Sequence, residues 1–80
     1  MAIKVIREKL LAEIGSGRGR SVRIRLVEYD GVPGGPRLDI RQFYVDERGQ
    51  SLPTAKGCGL RADALPQLRA ALEEFEAKAP

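Results

Sequence analysis

The sequence predicts an α+β fold, with strands first and a helix last, and three observations lead there. Two stretches alternate apolar and polar residues, Gly/Pro-rich turns separate them, and beyond Asp63 the apolar spacing becomes that of a helix. In residues 21–29, SVRIRLVEY, Val22, Ile24 and Leu26 alternate with Arg23, Arg25 and Val27, as in a strand with one covered face. In residues 37–45, RLDIRQFYV, Leu38 and Ile40 alternate with Arg37, Asp39 and Arg41. The connecting DGVPGGP is too long for a two-residue turn and fits a looser hairpin. Lys56 to Leu60 is a shorter strand candidate, weakened by Gly57 and Gly59. The segment GSGRGR reads as a hairpin turn and not as a phosphate loop, because it lacks the terminal Lys-Ser/Thr and no helix pattern follows.

The two ends differ in clarity. Leu65, Leu68, Leu72 and Phe75 form an apolar helical stripe, with Asp63 expected as N-cap, Pro66 in the first turn and Glu73, Glu74 and Glu76 on the solvent side. At the N-terminus, Ile3, Ile6, Leu10 and Ile14 suit a helix, while LLAEI equally suits a short strand.

A chain of 80 residues is expected to make one domain with a modest core. Domains this small lean on a metal, on disulfides or on association with another copy. With no His and a single Cys, Cys58, neither a metal cluster nor an internal disulfide can be assembled. Self-association remains, so a homodimer is expected, with Leu65, Leu68, Leu72 and Phe75 available for its interface. No metal and no cofactor are expected. Catalysis is argued against by the missing His and by carboxylates scattered among arginines, with Cys58 read as an inert thiol in a strand. No apolar run is long enough for a membrane span and the N-terminus lacks a signal-peptide h-region, which fits a cytoplasmic setting.

The net charge of +3 is too mild to name a partner, but its distribution is uneven. Residues 1–61 carry 12 basic and 7 acidic groups, residues 62–80 carry 2 and 4, and ten of the fourteen basic residues are Arg. Opposite Val22, Ile24 and Leu26, a strand places Arg23, Arg25, Val27 and Tyr29 on one face. Arg18 and Arg20 extend that row, and Arg41 with Phe43 and Tyr44 adds to it from the neighbouring strand. Guanidiniums grip phosphates and aromatic rings stack on bases, the combination that suits single strands, whose bases are free. Arg41 and Tyr44 are an odd number of residues apart, so a regular strand sends them to opposite faces unless a bulge or a curved sheet intervenes.

The ordered set EYDG, Asp39-Ile40-Arg41 with Phe43-Tyr44, DERG, Pro53-x-x-Lys56-Gly57 and a leucine-rich final helix resembles the transcriptional coactivator family of positive cofactor four, in its compact bacterial form; LLAEIG matches a segment of the bacterial relatives. The resemblance spans about residues 10 to 76 of the 80. It implies a curved four-stranded antiparallel sheet followed by one C-terminal helix, paired as a homodimer, with a strand around Leu10 to Ile14. It also implies sequence-tolerant binding of single-stranded DNA, with RNA and the transcription machinery as further partners, in a nucleoid-associated bacterial protein. Carried over by residue, the aromatic contacts fall on Tyr29 and Tyr44. The basic contacts fall on Arg20, Arg41 and Lys56, with Gly57 allowing close backbone approach; Arg23 and Arg25 are added as phosphate contacts from the strand alternation alone. Leu52 and Ala55 stand where relatives often carry basic residues, Tyr44 where a Trp is common, and Asp30 where a Lys is frequent. Each departure removes charge or stacking area and implies weaker binding. The rival expectation is a module that docks on polymerase or another regulator through the same sheet, without nucleic acid.

Overall fold

The computed structural model describes residues 4–79 and contains one antiparallel sheet followed by one helix. The strands are β1 (Val5–Gly17), β2 (Arg20–Tyr29), β3 (Arg37–Val45) and β4 (Ser51–Arg61), ordered β1-β2-β3-β4 in an open sheet. A single 3₁₀ turn, Ala62–Ala64, leads into α1 (Leu65–Lys78). Consecutive strands pair throughout, so each connection is a hairpin.

Turn chemistry sets these hairpins. Gly17 pairs with Arg20, which leaves Arg18 and Gly19 as a two-residue turn with positive φ at both, 53° and 71°. That is the sign a tight hairpin needs to match strand twist. Between β3 and β4, Asp46 Oδ1 accepts from the backbone N–H groups of Arg48 and Gln50, each at 2.9 Å, and Gly49 takes a left-handed φ of 80°.

The ambiguous N-terminus is a strand from Val5 onward, and Ile3 lies outside the described residues. Strand β1 tolerates its irregular apolar spacing through register shifts between Val5 and Arg7, Leu10 and Ala12, and Gly15 and Gly17. The candidate strand at Lys56 to Leu60 extends back to Ser51. Asp63 is not the N-cap of α1: the helix is preceded by the 3₁₀ turn, its N-cap is Ala64 without a side-chain bond, and Asp63 sits inside that turn. Pro66 falls in the first turn of α1, as expected.

Burial departs from the alternation pattern. Val22, Ile24, Leu26, Leu38 and Ile40 are only half-buried, whereas the buried residues are Val27, Phe43 and Asp39, on the opposite face. The register explains this: Arg23 opposes Arg41, Arg25 opposes Asp39, and Ser21 opposes Phe43, so these residues share one face. Arg23 and Arg25 fold their guanidiniums over the Phe43 ring, 4.5 and 5.0 Å from its centroid. Arginine stems and forks thus cover a hydrophobic ring that no second layer of the described residues covers.

Asp39, 3% exposed, fastens this lid. One carboxylate oxygen accepts from Arg25 Nε and Nη2 at 3.1 and 2.6 Å, and the other accepts from Arg41 Nε and Nη2 at 3.3 and 3.1 Å. Each fork therefore spends two donors on one oxygen of a single carboxylate. Replacing Asp39 by Asn keeps one neutral acceptor oxygen for one guanidinium and turns an N–H donor toward the other, leaving that half-buried charge unpaired. The expected loss is about 3 kcal/mol of stability, read from urea unfolding at fixed protein concentration. A loss below about 1 kcal/mol contradicts the arrangement, because an exposed pair is worth no more than that.

Candidate nucleic-acid interface

Cross-strand partners share a face, so Arg20 and its partner Tyr44 lie with Val22, Gln42, Ile24 and Ile40, on the side away from the Asp39 network. The interface begins at that end of the sheet. There β4 departs from regular pairing: Gly57 opposes Arg41 and Pro53 opposes Phe43, so Thr54, Ala55 and Lys56 together face Gln42. This bulge follows from its boundary residues. Pro53 has no N–H to give to a ladder. Gly57 lets the strands close up, since a Cβ there would stand 2.5 Å from the Ile40 carbonyl oxygen and 2.8 Å from Arg41 Cα.

Thr54 then satisfies backbone groups that the bulge leaves without a ladder. Its hydroxyl donates to the Gln42 carbonyl at 2.9 Å and accepts from the Lys56 N–H at 3.1 Å, while Arg41 Nη1 donates to the Thr54 carbonyl at 3.0 Å. The result is an open recess of about 380 Å³ lined by Arg18, Arg20, Gln42, Tyr44, Val45, Thr54 and Lys56. Tyr44 is exposed in it, and no lining residue is acidic.

The eight binding residues named from the sequence therefore divide. Arg20, Tyr44 and Lys56 come together in the recess. Arg23, Arg25 and Arg41 lie on the opposite face, engaged with Glu13, with Glu8 and Asp39, and with Asp39 respectively. Tyr29 pairs with Val5 at the far end of β2, nine residues from Arg20, about 30 Å along the strand. Gly57 borders the recess, and the close approach its hydrogen permits is that of β4 to β3. A single row of arginines and tyrosines on one face is thus corrected to two surfaces. The bulge meant to reconcile Arg41 with Tyr44 exists, but it lies in β4, so β3 stays regular and sends the two residues apart. Three lining residues fell outside the sequence reading altogether: Gln42, Val45 and Thr54. The Pro-x-x-x-Gly spacing of residues 53–57 is the sequence signal that marks the bulge.

The guanidiniums divide electrostatically as well. Arg25, its side chain 14% exposed, is held between Asp39 and Glu8. Burial weighs against its charge, and hydrogen bonds to those two carboxylates outweigh burial, so its pKa rises above the ordinary arginine value. Glu13 accepts from Arg23 Nε at 2.7 Å and from the Ser21 hydroxyl at 3.3 Å. The Arg23 hydrogen bond first, then its charge, holds the Glu13 carboxyl below the usual glutamate range. By contrast, Arg18, Arg20 and Lys56 have no carboxylate within ion-pair distance among the described residues.

Comparison with known proteins agrees with this architecture. An open four-stranded antiparallel sheet with one trailing helix is the architecture of this chain. Residues 16–71 match the family described as Transcriptional Coactivator p15 (PC4), and the chain belongs to that family. Among solved structures it is similar to BPSL1147, a PC4 homolog from Burkholderia pseudomallei. In the orthorhombic crystal form of that protein the identity is 24% and the TM-score 0.73, covering 94% of this chain and 96% of that one. It is also similar to the bacteriophage T5 homolog of the eukaryotic coactivator PC4, at 18% identity and a TM-score of 0.73, covering 92% and 82% of the two chains. No curated protein sequence matches. Among the described residues no group of His, Cys, Asp and Glu is placed to hold a metal, and no helix is long and apolar enough to cross a membrane.

A depressed glutamate pKa has a measurable sign. Because the folded value lies below the unfolded one, the stability from Glu13 is complete above the ordinary glutamate value and is lost as pH falls through the folded value. A carboxyl NMR titration of Glu13 is expected to show a midpoint below that of a free glutamate, rising toward the ordinary value in Arg23→Ala. An ordinary midpoint in the unaltered protein contradicts the pairing.

Proposed function

We propose that the protein binds single-stranded DNA through the Tyr44 recess, works as a homodimer, and acts on transcription or protects exposed strands. Arg18, Arg20 and Lys56 hold phosphates, and Tyr44 stacks on a base. The observation that carries this reading is the split among the cations: those around Tyr44 lack carboxylate partners among the described residues, while those around Phe43 are already engaged with acids. A phosphate must displace a carboxylate to reach Arg25, and nothing of the kind to reach Arg20. An exposed ring beside free cations suits strands whose bases are unstacked, and it distinguishes no particular sequence. Arg23, Arg25 and Arg41 act in this reading as the frame of the sheet, with Arg41 bracing the bulge through Thr54. Tyr29 stands as a more distant contact for a longer strand, while Gly57, next to Lys56, allows close approach of the backbone beside the recess. The similarity to a phage protein implicated in recombination-dependent DNA replication supports a DNA ligand. RNA and components of the transcription machinery are secondary partners, and a nucleoid-associated location follows from the same reading.

The dimer rests on what the protomer leaves uncovered. The radius of gyration is 14.6 Å, against roughly 11–12 Å for a compact chain of this length. No residue of α1 is buried; Leu65 and Leu68 are half-covered, while Leu72 and Phe75 are 55% and 70% exposed. Strand β1 likewise exposes Val5, Ile6, Leu10, Leu11 and Ile14. An apolar recess of about 230 Å³, lined by residues including Leu11, Leu26, Leu38 and Leu65, lies between them. Each large side chain covered by a second copy contributes about 1.5–3 kcal/mol.

Fluorescence anisotropy with labelled oligo-dT is expected to show binding that weakens with salt, with a slope of about −2 for three phosphates per protomer. Tyr44→Ala is expected to weaken it about tenfold, from the loss of one stacked base. A salt-independent signal, or no binding, contradicts the reading. Binding to a polymerase or regulator in that case, surviving loss of the recess cations, favours the docking module instead. Sedimentation at micromolar concentration is expected to give a dimer mass, and a monomer mass for the double variant Leu72→Glu/Phe75→Glu. A monomeric unaltered protein contradicts the pairing.

A further inference from the structure

Arg18 and Arg20 are placed by a tight turn and by regular pairing with Tyr44, whereas Lys56 stands on a bulge. Strand β4 is also the edge of the sheet, with β3 on one side and no strand on the other among the described residues. Between Pro53 and Gly57, three residues of β4 have only Gln42 opposite them, so the ladder that orients side chains elsewhere is interrupted. Thr54, half-buried at that point, replaces the ladder with its side chain. Its Oγ1 donates to the Gln42 carbonyl at 2.9 Å and accepts from the Lys56 N–H at 3.1 Å, while its own carbonyl accepts from Arg41 Nη1 at 3.0 Å. These bonds tie the backbone under Lys56 to two neighbouring residues of β3. An ammonium on a flexible four-carbon stem depends on that backbone for its position.

We propose that Thr54 is a positioning residue for strand binding: its hydroxyl, committed to backbone on both sides, holds Lys56 where it meets a phosphate. This rests on the single-strand reading above and deepens it, because it names the group that sets one of the phosphate contacts. The hydroxyl serves at once as donor toward Gln42 and as acceptor toward Lys56. A serine keeps both bonds, and a valine, of the same shape as threonine, keeps neither. Without the hydroxyl the bulge gains freedom, and the Lys56 charge is spread over many positions. The loss then falls on one electrostatic contact. Tyr44 and Arg20 are carried by β3 and β2, and their contacts stay as they were. A residue that only held the sheet together would instead act on every contact alike.

The test is a double-substitution cycle on the full chain, read by anisotropy with labelled oligo-dT across a salt series. Thr54→Val is expected to change the salt slope from about −2 to about −1.4, the share of one single-strand phosphate, and to weaken binding about fivefold at about 0.1 M salt. Lys56→Ala is expected to do the same. The double variant is expected to bind within about twofold of Lys56→Ala alone, because both substitutions remove one contact. Arg20→Ala in the Thr54→Val background is expected to add its full loss. Thr54→Ser, which keeps the hydroxyl, is expected to bind within about twofold of the unaltered protein. If circular dichroism shows the valine variant unfolded, Thr54→Ala takes its place in the cycle. In the unaltered protein the Lys56 amide hydrogen is expected to exchange at least about tenfold more slowly than in an unfolded chain. A double variant that loses the product of the single losses, about 25-fold, overturns the inference and leaves strand binding intact. An unchanged slope in Thr54→Val, a Thr54→Ser protein as weak as the valine variant, or an unprotected Lys56 amide overturns it equally. Failure of the unaltered protein to bind oligo-dT overturns the proposed function and this inference together.

Discussion

A buried carboxylate gripping two guanidiniums is the interaction on which the rest of this structure depends. Asp39 is the third residue of β3, and its two oxygens engage Arg25 of β2 and Arg41 of its own strand. Arg25 reaches on to Glu8 of β1, and Arg41 reaches on to the Thr54 carbonyl of β4. All four strands are tied through one side chain. An open sheet with no second layer over this face cannot obtain that cohesion from hydrophobic packing alone. It uses arginine instead, whose stems cover Phe43 while their forks remain bonded. A lysine network does not substitute readily, because an ammonium offers no planar fork and no flat face for the ring.

The same network determines which cations are free. Arg23, Arg25 and Arg41, which alternation places on a ligand face, are engaged in holding the sheet, while Arg18, Arg20 and Lys56 at the Tyr44 end have no carboxylate within ion-pair distance among the described residues. The bulge between Pro53 and Gly57 supplies the room. Arg41 joins the two surfaces: its guanidinium faces the Asp39 side, yet its bond to Thr54 fixes the strand that carries Lys56 to the other.

Much of the fold was legible in the sequence. The alternation in residues 21–29 and 37–45, the glycine turns and the leucine spacing after Asp63 located two strands, the hairpins and the helix, and the resemblance located the rest. Sidedness was harder. Period-two alternation identified the two faces of β2 correctly but not which one is more covered. Val22, Ile24 and Leu26 are the apolar set, yet Phe43 and Asp39 are the buried ones, because arginines act as the cover. Nothing in a one-dimensional pattern says that Arg25 ends on Asp39 fourteen residues away and not in solvent. Parity did expose the conflict between Arg41 and Tyr44, and the regular register of β3 decides it. The recess residues Gln42 and Thr54 were missed because neither type signals a site; only the bulge brings them together.

The sheet thus presents two surfaces to a ligand, and they are separable residue by residue. Amide chemical-shift mapping with a short single-stranded oligonucleotide discriminates between them directly. Shifts concentrated at Arg18 to Arg20, Gln42 to Tyr44 and Thr54 to Lys56, with Asp39 and Arg25 little changed, are the result this account requires. Shifts centred on Arg23, Arg25 and Asp39 would contradict it, because a ligand there must break the bonds that hold the strands together.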